Sequence, residues 1–131
     1  MPDVVIIDTS VWVPALGPQQ SPEKAEVARL VLNQEAATVG IILAEVLRGA
    51  RSEDDFTELA DQLQAAVLLD DDVESWLLAA RLLFDLRRQG QTIPLPDAVI
   101  AAHALRGGHE VYSTDAHFER VPGLQLHQVG T

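Results

Sequence analysis

Apolar residues along this chain fall into two spacings. Short unbroken runs read as buried strands: Val4 to Asp8, Ala37 to Val39, Ala66 to Leu69 and Val111 to Ser113, with Leu124 to His127 as a last short one. Between them the spacing becomes helical. Ser21 to Glu35 opens Ser-Pro-Glu-Lys, with proline where a helix tolerates it best, and carries Val27, Leu30 and Val31 on one face. A helix from about Ile42 to Ala50 follows the second strand, and Ser52 can cap another running to about Gln64. Asp72 can cap a long helix through Arg88, with an apolar stripe that includes Trp76, Ala80, Leu83 and Phe84. Gly90 ends it. Pro96 suits the first turn of a helix that carries Asp97 through Leu105, and Gly107-Gly108 stops that helix.

Strands that alternate with helices predict an α/β fold in which a central, mainly parallel sheet is flanked by helices. Residues 1–131 read as a single domain, with no internal repeat, low-complexity segment or linker. An apolar share of 47% against 22% charged residues is that of a soluble globular chain, which excludes disorder as the general state. Cysteine is absent, so disulfides, thiolate metal sites and cysteine nucleophiles drop out. No basic leader opens the chain, and no run approaches the roughly 20 apolar residues needed to span a bilayer. The expectation is a cytoplasmic protein with no membrane partner.

Four acids stand apart from the rest. Asp8 closes the first apolar run, Glu45 is the only charge between Val39 and Leu47, Asp97 is the only acid between Gln91 and His109, and Asp115 follows the strand at Val111. Parallel sheets bind ligands at the carboxyl ends of their strands, where Asp8 and Asp115 fall; Glu45 and Asp97 lie near helix starts able to face the same crevice. Ionised carboxylates in apolar surroundings are costly, and four that converge repel one another until a cation joins them. Hard oxygen donors point to Mg2+ or Mn2+. The other acids cluster at Glu53 to Asp61 and Asp70 to Glu74, as solvated helix starts do. A net charge of −11 speaks against non-specific binding to a polyanion, although four of those charges are the candidate ligands and eight of the nine basic residues are arginine, the better fork for phosphate.

The stretches Ile7-Asp8-Thr9-Ser10-Val11-Trp12, Ala44-Glu45-Val46-Leu47-Arg48-Gly49, Pro96-Asp97-Ala98-Val99-Ile100-Ala101-Ala102 and Tyr112-Ser113-Thr114-Asp115-Ala116-His117-Phe118 resemble, in order and spacing, the motifs of the PIN-domain family, and within it the VapC-type toxins. The resemblance implies one PIN-like domain that acts as a Mg2+- or Mn2+-dependent endoribonuclease, the toxin of a toxin–antitoxin pair, usually a homodimer and neutralised by a cognate antitoxin protein. It also implies the acidic quartet Asp8, Glu45, Asp97 and Asp115 as metal-holding and catalytic positions. Ser113 matches a position where a hydroxyl supports the site, with Thr9 or Ser10 in the same capacity. Many relatives carry a further acid near Asp115, where this chain has His117.

Each residue has a plainer reading beside the functional one. Asp8 and Asp115 can cap helices, and Asp97 can be a first-turn acid. Arg48, one turn from Glu45, can orient that carboxylate, hold an RNA phosphate, take an antitoxin carboxylate or make a structural ion pair. His103 reads as structural, and His109 and His127 carry little signal. Arg81, Arg87 and Arg88 read as solvated, and Trp12 and Trp76 as core or interface anchors. The rival for the whole chain is a catalytically silent PIN-like module that acts by binding protein. A phosphatase of the Asp-x-Asp type lacks its second aspartate here, and the single lysine, Lys24, leaves no late lysine for a receiver domain.

Overall fold

The computed structural model describes residues 4–130. Five strands, β1 (Val5–Ile7), β2 (Ala36–Val39), β3 (Val67–Leu69), β4 (Glu110–Tyr112) and β5 (Gln125–Leu126), form one sheet in the order β3-β2-β1-β4-β5. Every pairing is parallel, with Val5 beside Ala36 on one side and Glu110 on the other. Parallel strands are buried on both faces, which is why β1 and β2 are unbroken apolar or small runs without polar alternation. The edge strand β3 is the exception, with Val67 and Leu68 about half exposed.

Six α-helices flank the sheet: α1 (Thr9–Leu16), α2 (Pro22–Leu32), α3 (Gly40–Leu47), α4 (Glu53–Leu63), α5 (Val73–Arg88) and α6 (Leu95–Gly107). A 3₁₀ turn, Ala116–Arg120, lies between β4 and β5. Capping follows the sequence. The side chains of Ser21, Ser52 and Asp72 accept the backbone N–H groups of Lys24, Asp55 and Ser75, each three residues on. Gly108 takes the left-handed conformation, φ 70°, that closes α6. The main core, with Trp12, Ile6, Ile7, Leu30, Ile42, Ile100 and Phe118 almost wholly inaccessible, lies where α1, α2, α3 and α6 meet the sheet. No helix among the described residues is long and apolar enough to cross a membrane.

Three expectations are corrected. A helix, α1, follows Asp8 directly; Pro14 in its interior and its eight-residue length hide it from a pattern reading. Helix α3 starts at Gly40, straight out of β2, and ends at Leu47. The buried line of α5 also lies one position over from the expected stripe. Ser75, Ala79 and Leu86 are buried, whereas Trp76, Ala80 and Phe84 are exposed and Leu83 is only partly covered. The partner explains the rotation. Helix α6 presents Ala98, Ala101 and Ala102, fully buried, and small residues on both helices let the two backbones approach closely. Arg106 of α6 completes the docking by donating to Asp72 and to Ser75 Oγ, the latter at 2.8 Å.

Adjacent positions test this face. Ala79→Leu is expected to cost about 1–3 kcal/mol by wedging α5 from α6, while Ala80→Leu stays within about 0.5 kcal/mol. Urea midpoints of the two variants decide it, and equal losses would put the contact elsewhere.

Candidate functional site

In this strand order the chain runs outward from β1 to β3 and then returns to the other side of β1, so connections part in opposite directions between β1 and β4. A crevice opens at such a reversal, outside the carboxyl ends of the strands. Asp8 leaves β1 there and its backbone N–H donates to Tyr112 O at 2.9 Å, tying the two strand ends together. The residue is 5% exposed and stands at the N-cap position of α1, yet its side chain caps nothing. Its Oδ2 instead accepts Ser10 Oγ at 2.7 Å and Ser113 Oγ at 2.8 Å. Each hydroxyl oxygen is itself engaged by a backbone N–H, Thr114 on Ser10 at 3.1 Å and Asp115 on Ser113 at 2.9 Å. Each hydroxyl thus accepts one N–H and has its own proton to donate to the same carboxylate oxygen.

Asp97 reaches the same place from α6. Pro94 at the N-cap and Pro96 set the helix start, and Asp97 sits in the first turn, 8% exposed. His117, in the 3₁₀ turn after β4, places Nδ1 at 2.8 Å from Asp97 Oδ2 and 2.9 Å from Asp115 Oδ1. Its backbone N–H also donates to Asp115 Oδ1, at 3.0 Å, and Phe118 is buried beside it, so the turn is anchored on both sides of the ring. Burial pushes the Asp97 carboxyl above its ordinary range; the His117 hydrogen bond opposes this, and the neighbouring charges of Asp8 and Asp115 add to it.

Glu45 projects from α3, partly exposed, and its Oε1 accepts Thr9 Oγ1 at 3.2 Å. Thr9 directly follows Asp8, so the fourth acid is linked to the others through α1. Glu45 also lines a groove of about 460 Å³ between α1, α3 and α4, with Val13, Leu16, Val46 and Leu59. Arg48 does not orient it. That side chain is exposed at the C-cap of α3 and forms no ion pair among the described residues.

Among the described residues, Asp97, Asp115 and His117 each bring one ligand atom within 4.8 Å of the other two, close enough for a single ion to touch all three. Asp8 and Glu45 stand outside that group; Asp8 acts on Asp97 through its charge, and Glu45 is joined to the site through Thr9. Two carboxylates and an imidazole suit a divalent cation. The destabilised charge on Asp97 is the electrostatic counterpart of that fit.

Other titratable groups serve the fold. His103 is buried and bonds Asp71 at 2.7 Å, so the run Asp70 to Glu74 is more than a solvated helix start: two of its acids hold α6. The network that the sequence left unread is His127, whose Nδ1 meets Glu110 at 2.7 Å and whose Nε2 meets Glu26. Glu26 also takes a two-pronged bond from Arg29, at 2.8 and 2.9 Å, and this guanidinium is the main reason its carboxyl is lowered to about 2. The available signal was Glu26 itself, an acid on the buried face of α2 beside Val27 and Leu30.

The family model of the PIN domain matches residues 5–124. The chain is 34% identical over 130 residues to ribonuclease VapC11 of Mycobacterium tuberculosis, a match covering 93% of this chain and 96% of that protein, and equally to a VapC ribonuclease of Mycobacterium bovis. Among solved structures it resembles the DNA-bound VapBC of Salmonella typhimurium, with a TM-score of 0.83, 23% identity and coverage of 96% of this chain and 98% of that one. It also resembles VapBC2 of Rickettsia felis bound to a promoter DNA fragment, with a TM-score of 0.82, 22% identity and coverage of 95% and 97%. At such identities these structures speak for the fold.

The raised Asp97 carboxyl carries a stability consequence. The folded state holds that proton more tightly than the unfolded chain, so Asp97 lowers stability as pH rises through and above the ordinary carboxyl range. In chelator at pH 7, Asp97→Asn is expected to melt a few degrees above wild type, with the gain vanishing below about pH 4. Thermal unfolding across pH measures it; a variant less stable at pH 7 would mean that the charge is well accommodated.

Proposed function

The chain belongs to the PIN-domain family, and from that premise we propose that it is a metal-dependent endoribonuclease, the toxin of a toxin–antitoxin pair. The observation that carries this reading is the meeting of Asp8, Asp97 and Asp115 at the β1–β4 reversal, with His117 between two of them. Residues 1–131 act as one PIN-like domain, in the cytoplasm, on RNA. Its similarity to ribonuclease VapC11 supports the substrate class, and the likeness of its fold to chains of VapBC complexes supports an antitoxin partner.

In this reading Asp97 and Asp115, with Asp8 and Glu45 around them, hold Mg2+ or Mn2+ against the scissile phosphate. When bound, the ion supplies Lewis-acid polarisation of the phosphoryl oxygen and a more acidic water. Ser10 and Ser113 keep Asp8 in one orientation, so little rearrangement is needed when substrate arrives. Thr9 does the same for Glu45. The negative site repels RNA on its own, and a cation held there would offset that charge where the phosphate must sit.

A homodimer is part of the proposal. Val73, Trp76, Leu77 and Phe84 form the exposed apolar side of α5, with Trp76 and Phe84 each almost half accessible. Aromatic side chains so displayed are favoured at the centre of protein interfaces. The expected effect of Trp76→Glu with Leu77→Glu is a shift from dimer to monomer mass in sedimentation; an unchanged dimer would place the interface elsewhere.

Cleavage itself is tested on total RNA with Mg2+, with Mn2+ and with chelator. Discrete cuts that need the metal, and that fall roughly 100-fold or more in Asp8→Asn, are expected. Full cleavage by a folded Asp8→Asn protein would refute the site. Absence of cleavage by the wild type under every metal would favour a module that acts by binding protein.

A further inference from the structure

We propose that His117 is itself a metal ligand, through Nδ1, and that it biases this site toward Mn2+ and neighbouring first-row ions over Mg2+. The inference rests on reading Asp97 and Asp115 as metal-holding residues, and it adds which donor completes the set and which ion that set prefers.

The geometry singles out one atom. Nδ1 of His117 faces Asp97 Oδ2 and Asp115 Oδ1 together, at 2.8 and 2.9 Å, although one acid lies in the first turn of α6 and the other follows β4. A side chain that merely steadied one carboxylate would bond that one. Here one ring nitrogen and two carboxylate oxygens converge, which is how three ligands of one ion are disposed. Backbone contacts hold the residue as well. Its backbone N–H is fixed by Asp115, and Phe118, 1% exposed, locks the following residue into the core.

Donor chemistry then decides the ion. Mg2+ takes oxygen ligands in near-ideal octahedral geometry and keeps much of its water, whereas a nitrogen donor is accepted along the first-row divalent series, most weakly by Mn2+ and more strongly by Fe2+, Ni2+ and Zn2+. Charge favours the imidazole over a third carboxylate, whichever divalent ion is held. Asp97 and Asp115 with a neutral imidazole offer two negative charges, which one divalent ion balances. A third carboxylate in place of His117 would leave an excess charge beside Asp8, already close enough to raise the Asp97 carboxyl.

Pulsed electron paramagnetic resonance of the full chain loaded with Mn2+ reads the ligand directly, without reference to cleavage. Nitrogen modulation of a coordinated imidazole is expected, changing to the ¹⁵N pattern when histidine is labelled and lost in His117→Asp. Calorimetry of the same variant should show the Mn2+-to-Mg2+ affinity ratio falling roughly 10-fold or more. Mn2+ bound to wild type without nitrogen modulation, or a ratio unchanged in His117→Asp, overturns the role of His117 and leaves the carboxylate site standing. A wild type that binds neither ion overturns both readings.

Discussion

The constraint on which this structure turns is that several carboxylates are brought together where water is scarce. Asp8 and Asp97 are each less than a tenth exposed, and Asp115 lies within reach of both through His117 and Ser113. Like charges at such spacing are tolerated only if something offsets them. Two hydroxyls satisfy one oxygen of Asp8, and a single imidazole nitrogen serves Asp97 and Asp115. Asp97 is left with a carboxyl above its ordinary range. The fold stabilises a site that, in its metal-free form, works against the fold. That is the usual relation between a binding centre and its scaffold.

The scaffold supplies this at three levels. Parallel pairing of β1 with both β2 and β4 puts two strand ends side by side, and the bond from Asp8 N–H to Tyr112 fixes their registry. Alanines along α6 let that helix pack closely against α5 and the sheet, so the Asp97 backbone can come near the strand ends. A short α1, which begins at Thr9, then carries Thr9 and Ser10 in its first turn, one bonded to Glu45 and the other to Asp8. Nothing in this arrangement requires long elements. Strands of two to four residues suffice because helices bury both faces.

Much of this was legible in the sequence, for identifiable reasons. Apolar runs marked the strands, since strands covered on both faces have no polar alternation, and capping residues at Ser21, Ser52 and Asp72 marked helix starts through bonds that depend on three-residue spacing alone. The isolated acids were visible because a lone charge amid apolar residues is expensive. What stayed hidden depended on contacts distant in sequence. The buried line of α5 was set by small residues on α6, not by its own largest side chains, and so Trp76 and Phe84 face outward. Arg48 was close to Glu45 in the chain yet makes no bond to it, and His127 gave no sign of Glu26, about a hundred positions earlier.

Two histidine-centred clusters in one small protein show what separates a structural solution from a functional one. His127 offers a different nitrogen to each of two carboxylates, and Arg29 adds a two-pronged bond to the more buried of them. There the Glu26 carboxyl falls to about 2, chiefly through Arg29. This contributes stability that is fully present above the ordinary glutamate range and is lost only as pH falls toward that value. His117 instead offers one nitrogen to two carboxylates, with no arginine beside them, and the Asp97 carboxyl moves the opposite way. Both clusters pair a histidine with two carboxylates; the arginine is what differs. The first cluster has an arginine to offset a buried carboxylate, and the second has none, at the end of the sheet where the topology opens a crevice. A fold can afford such a deficit when a cation from solution makes it good, and that difference marks the β1–β4 end, rather than the His127 network, as the working end of the molecule.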